Sequence, residues 1–146
     1  ENDLEYAQTH LRILSALYGV LKPLDGIRPY RLDMHIKIPN IELYKFWQKN
    51  LDDYFRYEDI ILNLASNEFS KLIKLPMISI DFKEEIDGKY KTIGMYVKKA
   101  RGMMVNYLIK NKIKDIDKVK EFSMDRYKYN KDLSSSKKVI FSRKKL

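Results

Sequence analysis

The stretch Met77-Ile-Ser-Ile-Asp-Phe82, followed by Ile86-Asp-Gly88, Tyr90–Tyr96 and Val97–Asn111, decides the fold class. Apolar and polar residues alternate through Phe82, so successive side chains fall on opposite faces of a strand. Asp87-Gly88 is turn chemistry, because glycine accepts a positive φ, and Tyr90–Tyr96 returns as the second strand of a hairpin. From Val97 the apolar spacing lengthens to three and four, the period of a helix. A hairpin running into a helix predicts an α+β, or mixed α/β, chain with a small mixed sheet.

Upstream, Asp59–Leu64 is a short apolar run suited to a buried strand, and Ser66 or Asn67 can cap a helix reaching about Ile73. Leu43–Tyr57 reads as a helix with Leu43, Phe46, Trp47, Leu51, Tyr54 and Phe55 on one side. Leu4, Tyr6, Ala7, Leu11, Leu14, Ala16, Leu17 and Tyr18 recur near helical spacing, which predicts a helix over Asp3–Leu21 with Gly19 as its stop. Pro23, the Asp25-Gly26 pair, Pro29 and Pro39-Asn40 break regular structure beyond it. Downstream, Asp115 or Asp117 caps a short helix to Phe122. Arg126–Tyr129 and Lys137–Ser142 are two closing strands around the polar turn Asp132-Leu-Ser-Ser-Ser136. No repeat, linker or low-complexity tract intervenes, so a single domain with an N-terminal helical hairpin is expected.

At 146 residues and 45% hydrophobic content the chain has enough apolar material for a packed core. It contains no cysteine, which excludes disulfides, thiolate metal sites and a cysteine nucleophile. No apolar run reaches the ~18–20 residues needed to span a bilayer, and no signal-peptide pattern opens the sequence, so a soluble intracellular protein is expected. Residue 1 is Glu and helical periodicity begins almost at once, so a fragment of a longer chain is expected. Residues 1–93 carry 13 Lys/Arg against 15 Asp/Glu, net −2, whereas residues 94–146 carry 16 against 5, net +11. That asymmetry points to a polyanionic partner, against the plainer alternative of an AT-rich coding bias that inflates lysine.

Three constellations can carry chemistry. Lys98, Lys99, Arg101 and Gly102 fall at the expected helix start, where bare N–H groups and the dipole favour an anion over cations. Gly102 inside a helix costs up to ~1 kcal/mol relative to Ala, which close approach of a ligand or a backbone would explain. The alternative is a solvated lysine-rich helix. Leu14–Tyr30 combines a helix with a glycine-bearing turn, and Lys22, Arg28 and Arg31 lie near it. Helix-hairpin-helix modules hold a DNA backbone in this way without reading bases. The usual Gly-x-Gly core is absent and Pro29 interrupts a second helix, so an ordinary αα corner stands beside that reading. Tyr30, Asn63, Ser66 and Glu68 form a possible pocket at a strand end and helix start, with Ser66 or Asn67 as a simple cap being the alternative. His10 and His35 are not at metal-ligand spacing, so no metal and no cofactor is assigned.

Leu14-Ser-Ala-Leu-Tyr-Gly-Val-Leu-Lys-Pro-Leu-Asp25, Arg28-Pro-Tyr-Arg-Leu-Asp-Met34, Leu43-Tyr-Lys-Phe-Trp47, Asn63-Leu-Ala-Ser66 with Glu68-Phe69, and Tyr96-Val-Lys-Lys-Ala-Arg-Gly-Met103 resemble, in order, the YaaA family of peroxide stress proteins. Leu133-Ser-Ser-Ser136 and Val139-Ile-Phe-Ser-Arg143 are similar to that family's C-terminus. Members are longer and begin with a segment absent here, so residues 1–146 would be the C-terminal portion of a YaaA-like domain. The resemblance implies a cytoplasmic bacterial protein that limits peroxide damage and lowers free iron. It also implies a mixed fold, a basic cleft, and DNA binding through a helix-hairpin-helix element at about Leu11–Met34. The departures are a short segment between Met34 and Leu43 and the missing glycine pair.

The leading expectation is a DNA-binding protein of the hydrogen peroxide response, with low sequence specificity. Lys22, Arg28, Arg31, Lys98, Lys99, Arg101 and Gly102 would contact the phosphates of duplex or branched DNA along one basic cleft. No membrane partner is expected; a monomer is favoured, the sequence leaving the oligomeric state open. The alternative is an enzyme acting on a nucleotide or nucleobase, glycosylase-like, with Glu68 as acid/base. No catalytic motif stands out, so binding is placed ahead of catalysis. A third reading, iron sequestration, has only Asp33 and His35 to offer.

Overall fold

A computed structural model describes residues 2–146, which form an α+β arrangement of five helices and seven short strands. The chain divides into two compact units. The first runs to Ile61 and adds Ala65–Pro76; the second is Leu62–Leu64 with Met77–Leu146.

The first unit opens with α1 (Asp3–His10). Asn2 Oδ1 accepts the Glu5 N–H at 2.9 Å and the Glu5 carboxylate accepts the Asn2 N–H at 2.9 Å, a reciprocal cap. The helix stops at His10 because Leu11 is extended and the Arg12 guanidinium takes the carbonyls of Gln8 and Leu11, at 3.1 and 2.8 Å. There follows not more helix but an antiparallel pair, β1 (Ile13–Ser15) with β2 (Gly19–Leu21). The expected helix over Asp3–Leu21 is therefore eight residues of helix and a β-hairpin. No helix occurs in Leu11–Met34, so the helical hairpin and the second helix of a helix-hairpin-helix are absent from that segment. Gly19 is a turn residue at φ +75°, and the Trp47 ring lies so close that a Cβ there would sit 2.7 Å from it. Trp47 Nε1 donates to the Ala16 carbonyl at 2.8 Å, which seats the hairpin on α2 (Leu43–Phe55). Leu43, Leu51 and Phe55 face inward, whereas Phe46 and Tyr54 are exposed; Tyr54 keeps its hydroxyl outward to accept from Arg12 Nε. The short α3 (Asn67–Ser70) begins after Ser66.

In the second unit β3 (Leu62–Asn63), β4 (Ile78–Ile86), β5 (Lys89–Lys91), β6 (Lys128–Tyr129) and β7 (Lys138–Lys144) form one mixed sheet, ordered β3-β4-β7-β6 with β5 also on β4. Its spine is the parallel β4–β7 pair, in register from Ser79 opposite Lys138 to Glu85 opposite Lys144. Ile80 and Phe82 of β4 and Val139 and Phe141 of β7 pack with Val97, Ala100 and Met104 of α4 (Gly94–Lys110). Val119 of α5 (Ile116–Lys120), Phe122 and Tyr127 complete this core. Asp115 caps α5, its carboxylate accepting the Asp117 N–H at 2.9 Å. Among the described residues no helix is long and apolar enough to cross a membrane.

Candidate functional site

Alternation along β4 carries the inward face from Ile80 and Phe82 to Glu84, and along β7 from Val139 and Phe141 to Arg143. The parallel register sets Glu84 directly opposite Arg143. Both side chains are buried, 2% and 8% exposed, and Arg143 Nε lies 2.9 Å from each Glu84 oxygen. Tyr127 donates its hydroxyl to Glu84 at 2.6 Å. Burial, and then that bond to a carboxylate, push the phenol's pKa up. The Arg143 guanidinium lies over the rings of Tyr127 and Tyr96, 4.2 and 5.2 Å from their centroids. Its Nη1 reaches the Asp125 carboxylate at 2.7 Å and the Asp125 carbonyl at 3.0 Å. The hydrogen bond from Arg143 holds the Asp125 carboxyl below its ordinary pKa, with Lys99 and Arg126 adding to the effect against a smaller penalty from burial. Asp125 and Arg126 both adopt positive φ, 50° and 65°, a turn that non-glycine residues enter at a cost. The chain of charge ends at the surface, where Lys99 Nζ lies 3.7 Å from Asp125. Sequence reading missed this network; its signal is the Glu and Arg that each end an apolar alternation.

Lys98, Lys99 and Arg101 do not start a helix, because α4 begins at Gly94, one turn before the expected Val97. The first turn holds no acidic side chain and Ile93 offers no side-chain cap, so its N–H groups are bare of the usual partners. Gly94, Lys98, Gly102, Asn106 and Lys110 follow one another at intervals of four, and all are exposed. Nothing lies within 4 Å of where a Cβ of Gly94 or Gly102 would be, so no protein backbone accounts for Gly102 in the helix. Among the described residues Lys98 forms no ion pair, Lys99 is shared with Asp125, and Arg101 is half-buried with its Nε enclosed and unpartnered.

Lys22, Arg28 and Arg31 lie in the first unit, all exposed and without an ion pair among the described residues. The segment is ordered by side chains of its neighbours. Gln8 accepts the Leu24 N–H at 3.1 Å, Asp25 the Lys22 N–H at 2.8 Å, Tyr18 Oη the Arg28 N–H at 3.1 Å, and Glu68 the Met34 N–H at 2.9 Å. The turn's amides at Lys22 and Leu24 are thus already engaged, unlike those of a phosphate-binding hairpin. Glu68, the expected acid/base, is the loop's anchor, and Tyr44 donates to the Glu68 carbonyl at 2.7 Å. Asn63 binds Ser79 Oγ at 3.2 Å, Ser66 precedes α3 without a side-chain cap bond, and the Tyr30 hydroxyl is hydrogen-bonded to Ser15 Oγ. Asp33 accepts the His35 N–H at 3.0 Å, and His35 meets the Tyr44 ring edge-on. No group of three metal-ligating side chains occurs among the described residues.

The family model described as peroxide stress protein YaaA matches residues 1–133. A UPF0246 protein of Fusobacterium nucleatum is 48% identical over 99% of this chain and 61% of its own length. A UPF0246 protein of Francisella philomiragia is 44% identical over 96% of this chain and 60% of its own. One of Crocosphaera subtropica is 42% identical over 97% and 62%. The chain thus spans about three-fifths of the length of these curated relatives.

Proposed function

The chain belongs to the peroxide stress protein YaaA family, and from that premise we propose that it acts in the response to hydrogen peroxide as a DNA-binding protein. It would hold phosphate backbones with low sequence specificity and limit iron-dependent damage to them. The observation that carries this reading is the segregation of charge. The second unit has 19 Lys/Arg against 9 Asp/Glu, net +10, whereas the first has 10 against 11, net −1. A field of one sign over one unit draws a polyanion and raises its association rate.

The outward stripe of α4 supports the same reading. Lys98 stands between two open glycines, so a phosphate backbone can approach the helix without displacing a side chain. Lys98 and the unpartnered Arg101 are the lead contacts of the second unit, and Lys22, Arg28 and Arg31 those of the first. Lys99 is a weaker candidate, because a phosphate must compete with Asp125 for it. Gly102 contributes space and no donor beyond its backbone.

Binding of mixed-sequence duplex DNA, measured across salt, tests the proposal. Each phosphate neutralised contributes about −0.9 to the slope of log K against log salt. The variant K98A/R101A is expected to weaken binding and reduce that slope by about 2. A slope near zero for the unmodified chain, or no change in the variant, overturns the reading. Four-way junctions and unrelated duplex sequences should bind alike at equal salt once compared per phosphate.

A further inference from the structure

Arg28 and Arg31 sit in a segment with no helix or strand of its own, yet Arg28 lies within a ring closed by hydrogen bonds and Arg31 is the residue that follows it. Ser15, at the end of β1 and only 2% exposed, accepts the Tyr18 N–H on its Oγ at 3.1 Å and shares a hydrogen bond with the Tyr30 hydroxyl. Tyr18 accepts the Arg28 N–H on its own hydroxyl at 3.1 Å, and the two tyrosine rings meet edge-on with centroids 5.5 Å apart. The circuit runs Ser15, Tyr18, Arg28, Pro29, Tyr30 and back to Ser15. Pro29 fixes one backbone angle inside it, and the hairpin that carries it is seated on Trp47. Neither guanidinium is spent on a carboxylate among the described residues, so the ring orders the backbone that carries Arg28 and leads directly into Arg31, while both side chains stay exposed.

We propose that Ser15, Tyr18 and Tyr30 are positioning residues that hold Arg28 and Arg31 ready for a phosphate backbone. This rests on the DNA-binding reading above. The physical advantage is pre-organisation: a cation carried on an ordered backbone loses less conformational freedom on binding than one on a loose loop. Both tyrosines act through their hydroxyls, while their rings supply packing that phenylalanine retains. Y18F and Y30F therefore remove the positioning bonds and leave net charge and ring contacts intact.

The experiment is a salt series with mixed-sequence duplex DNA on the full chain, its Y18F and Y30F variants, R28A/R31A, and each tyrosine variant combined with R28A/R31A. Thermal unfolding of every variant runs alongside. R28A/R31A is expected to lower the salt slope by nearly 2. Y18F and Y30F should each weaken binding roughly 2- to 10-fold, about the cost of immobilising one side chain on binding, and lower the slope with little change in melting temperature. In the R28A/R31A background they should weaken it no further. Unchanged binding by R28A/R31A removes the phosphate reading of this segment and the positioning role with it. A loss in R28A/R31A with wild-type binding by Y18F and Y30F overturns the positioning role alone. Equal losses from the tyrosine variants with and without the arginines overturn it as well, since they would report general damage.

Discussion

Replacing Arg143 by Met keeps most of the volume of the side chain and removes its charge, and so isolates what the guanidinium does in the core. Glu84 is 2% exposed at its side chain and would keep one partner, the Tyr127 hydroxyl at 2.6 Å, in place of three bonds. Asp125 would lose its 2.7 Å contact and the strained turn at Asp125–Arg126 its anchor. Breaking a buried ion pair from one side costs about 3–5 kcal/mol, chiefly because an uncompensated charge stays inside. At ~2–4 °C per kcal/mol for a chain near this size, melting should fall by roughly 6–20 °C. Replacing the pair by apolar residues is often neutral or stabilising, so E84L/R143M should regain most of the loss. A double-mutant cycle by urea unfolding is the assay, and residues in direct contact should show a clear coupling energy. A loss under about 1 kcal/mol for R143M, or simple additivity of the two substitutions, would refute the claim that the pair is one buried unit.

Three further outcomes follow from the geometry. Gly19→Ala forces a Cβ to within 2.7 Å of the Trp47 ring at a φ of +75°, so it should destabilise by more than the ~1–2 kcal/mol of the backbone conformation alone, read by chemical unfolding. Gly102→Ala meets nothing and should stabilise α4 by up to ~1 kcal/mol in the free protein while weakening duplex binding if a backbone approaches there. The Asp125 carboxyl is held below its ordinary pKa by Arg143, so its stabilising contribution is full above about pH 4 and is lost as pH falls through the lowered value. Asp125→Asn should make the acid limb of a stability–pH profile shallower.

The second unit was the more legible in sequence. The switch from period two to period three or four across residues 77–104 marks β4, the Asp87-Gly88 turn and α4, because core-facing residues there obey a single local pattern, whereas the returning strand expected over Tyr90–Tyr96 is only Lys89–Lys91, exposed throughout, with Gly94–Tyr96 already helical. α4 starts earlier than the apolar period suggests because Gly94 and Met95 carry no inward side chain; both are exposed. In the N-terminal segment Leu, Ala and Tyr at helical intervals also satisfy a short hairpin, so spacing alone does not separate the two. What decides between them is local at one end, where Arg12 takes the carbonyls of Gln8 and Leu11, and tertiary at the other, where Trp47 presses on Gly19. The Glu84–Arg143 pair stayed hidden because sequence separates its members by 59 positions and only strand register brings them together. The candidate cations were found by type and clustering, but which are already engaged, such as Lys99, is a matter of placement that charge counting does not reach.

The β4–β7 pairing has a consequence for biogenesis. Its two strands lie about sixty residues apart in the chain, and the rings of Phe122, Tyr127 and Tyr129 pack on Phe82 of β4 or Phe141 of β7. While a ribosome is still extending the polypeptide, β4 has emerged with β3 and β5 available to one edge of its backbone but nothing for the other, and α4 has no finished layer on which to settle. Native structure in this half must wait until residues 138–144 clear the exit tunnel, and closing so long a loop is slow. Nascent chains stalled before that point should remain protease-sensitive and should engage chaperones, whereas the hairpin seated on Trp47 can mature early.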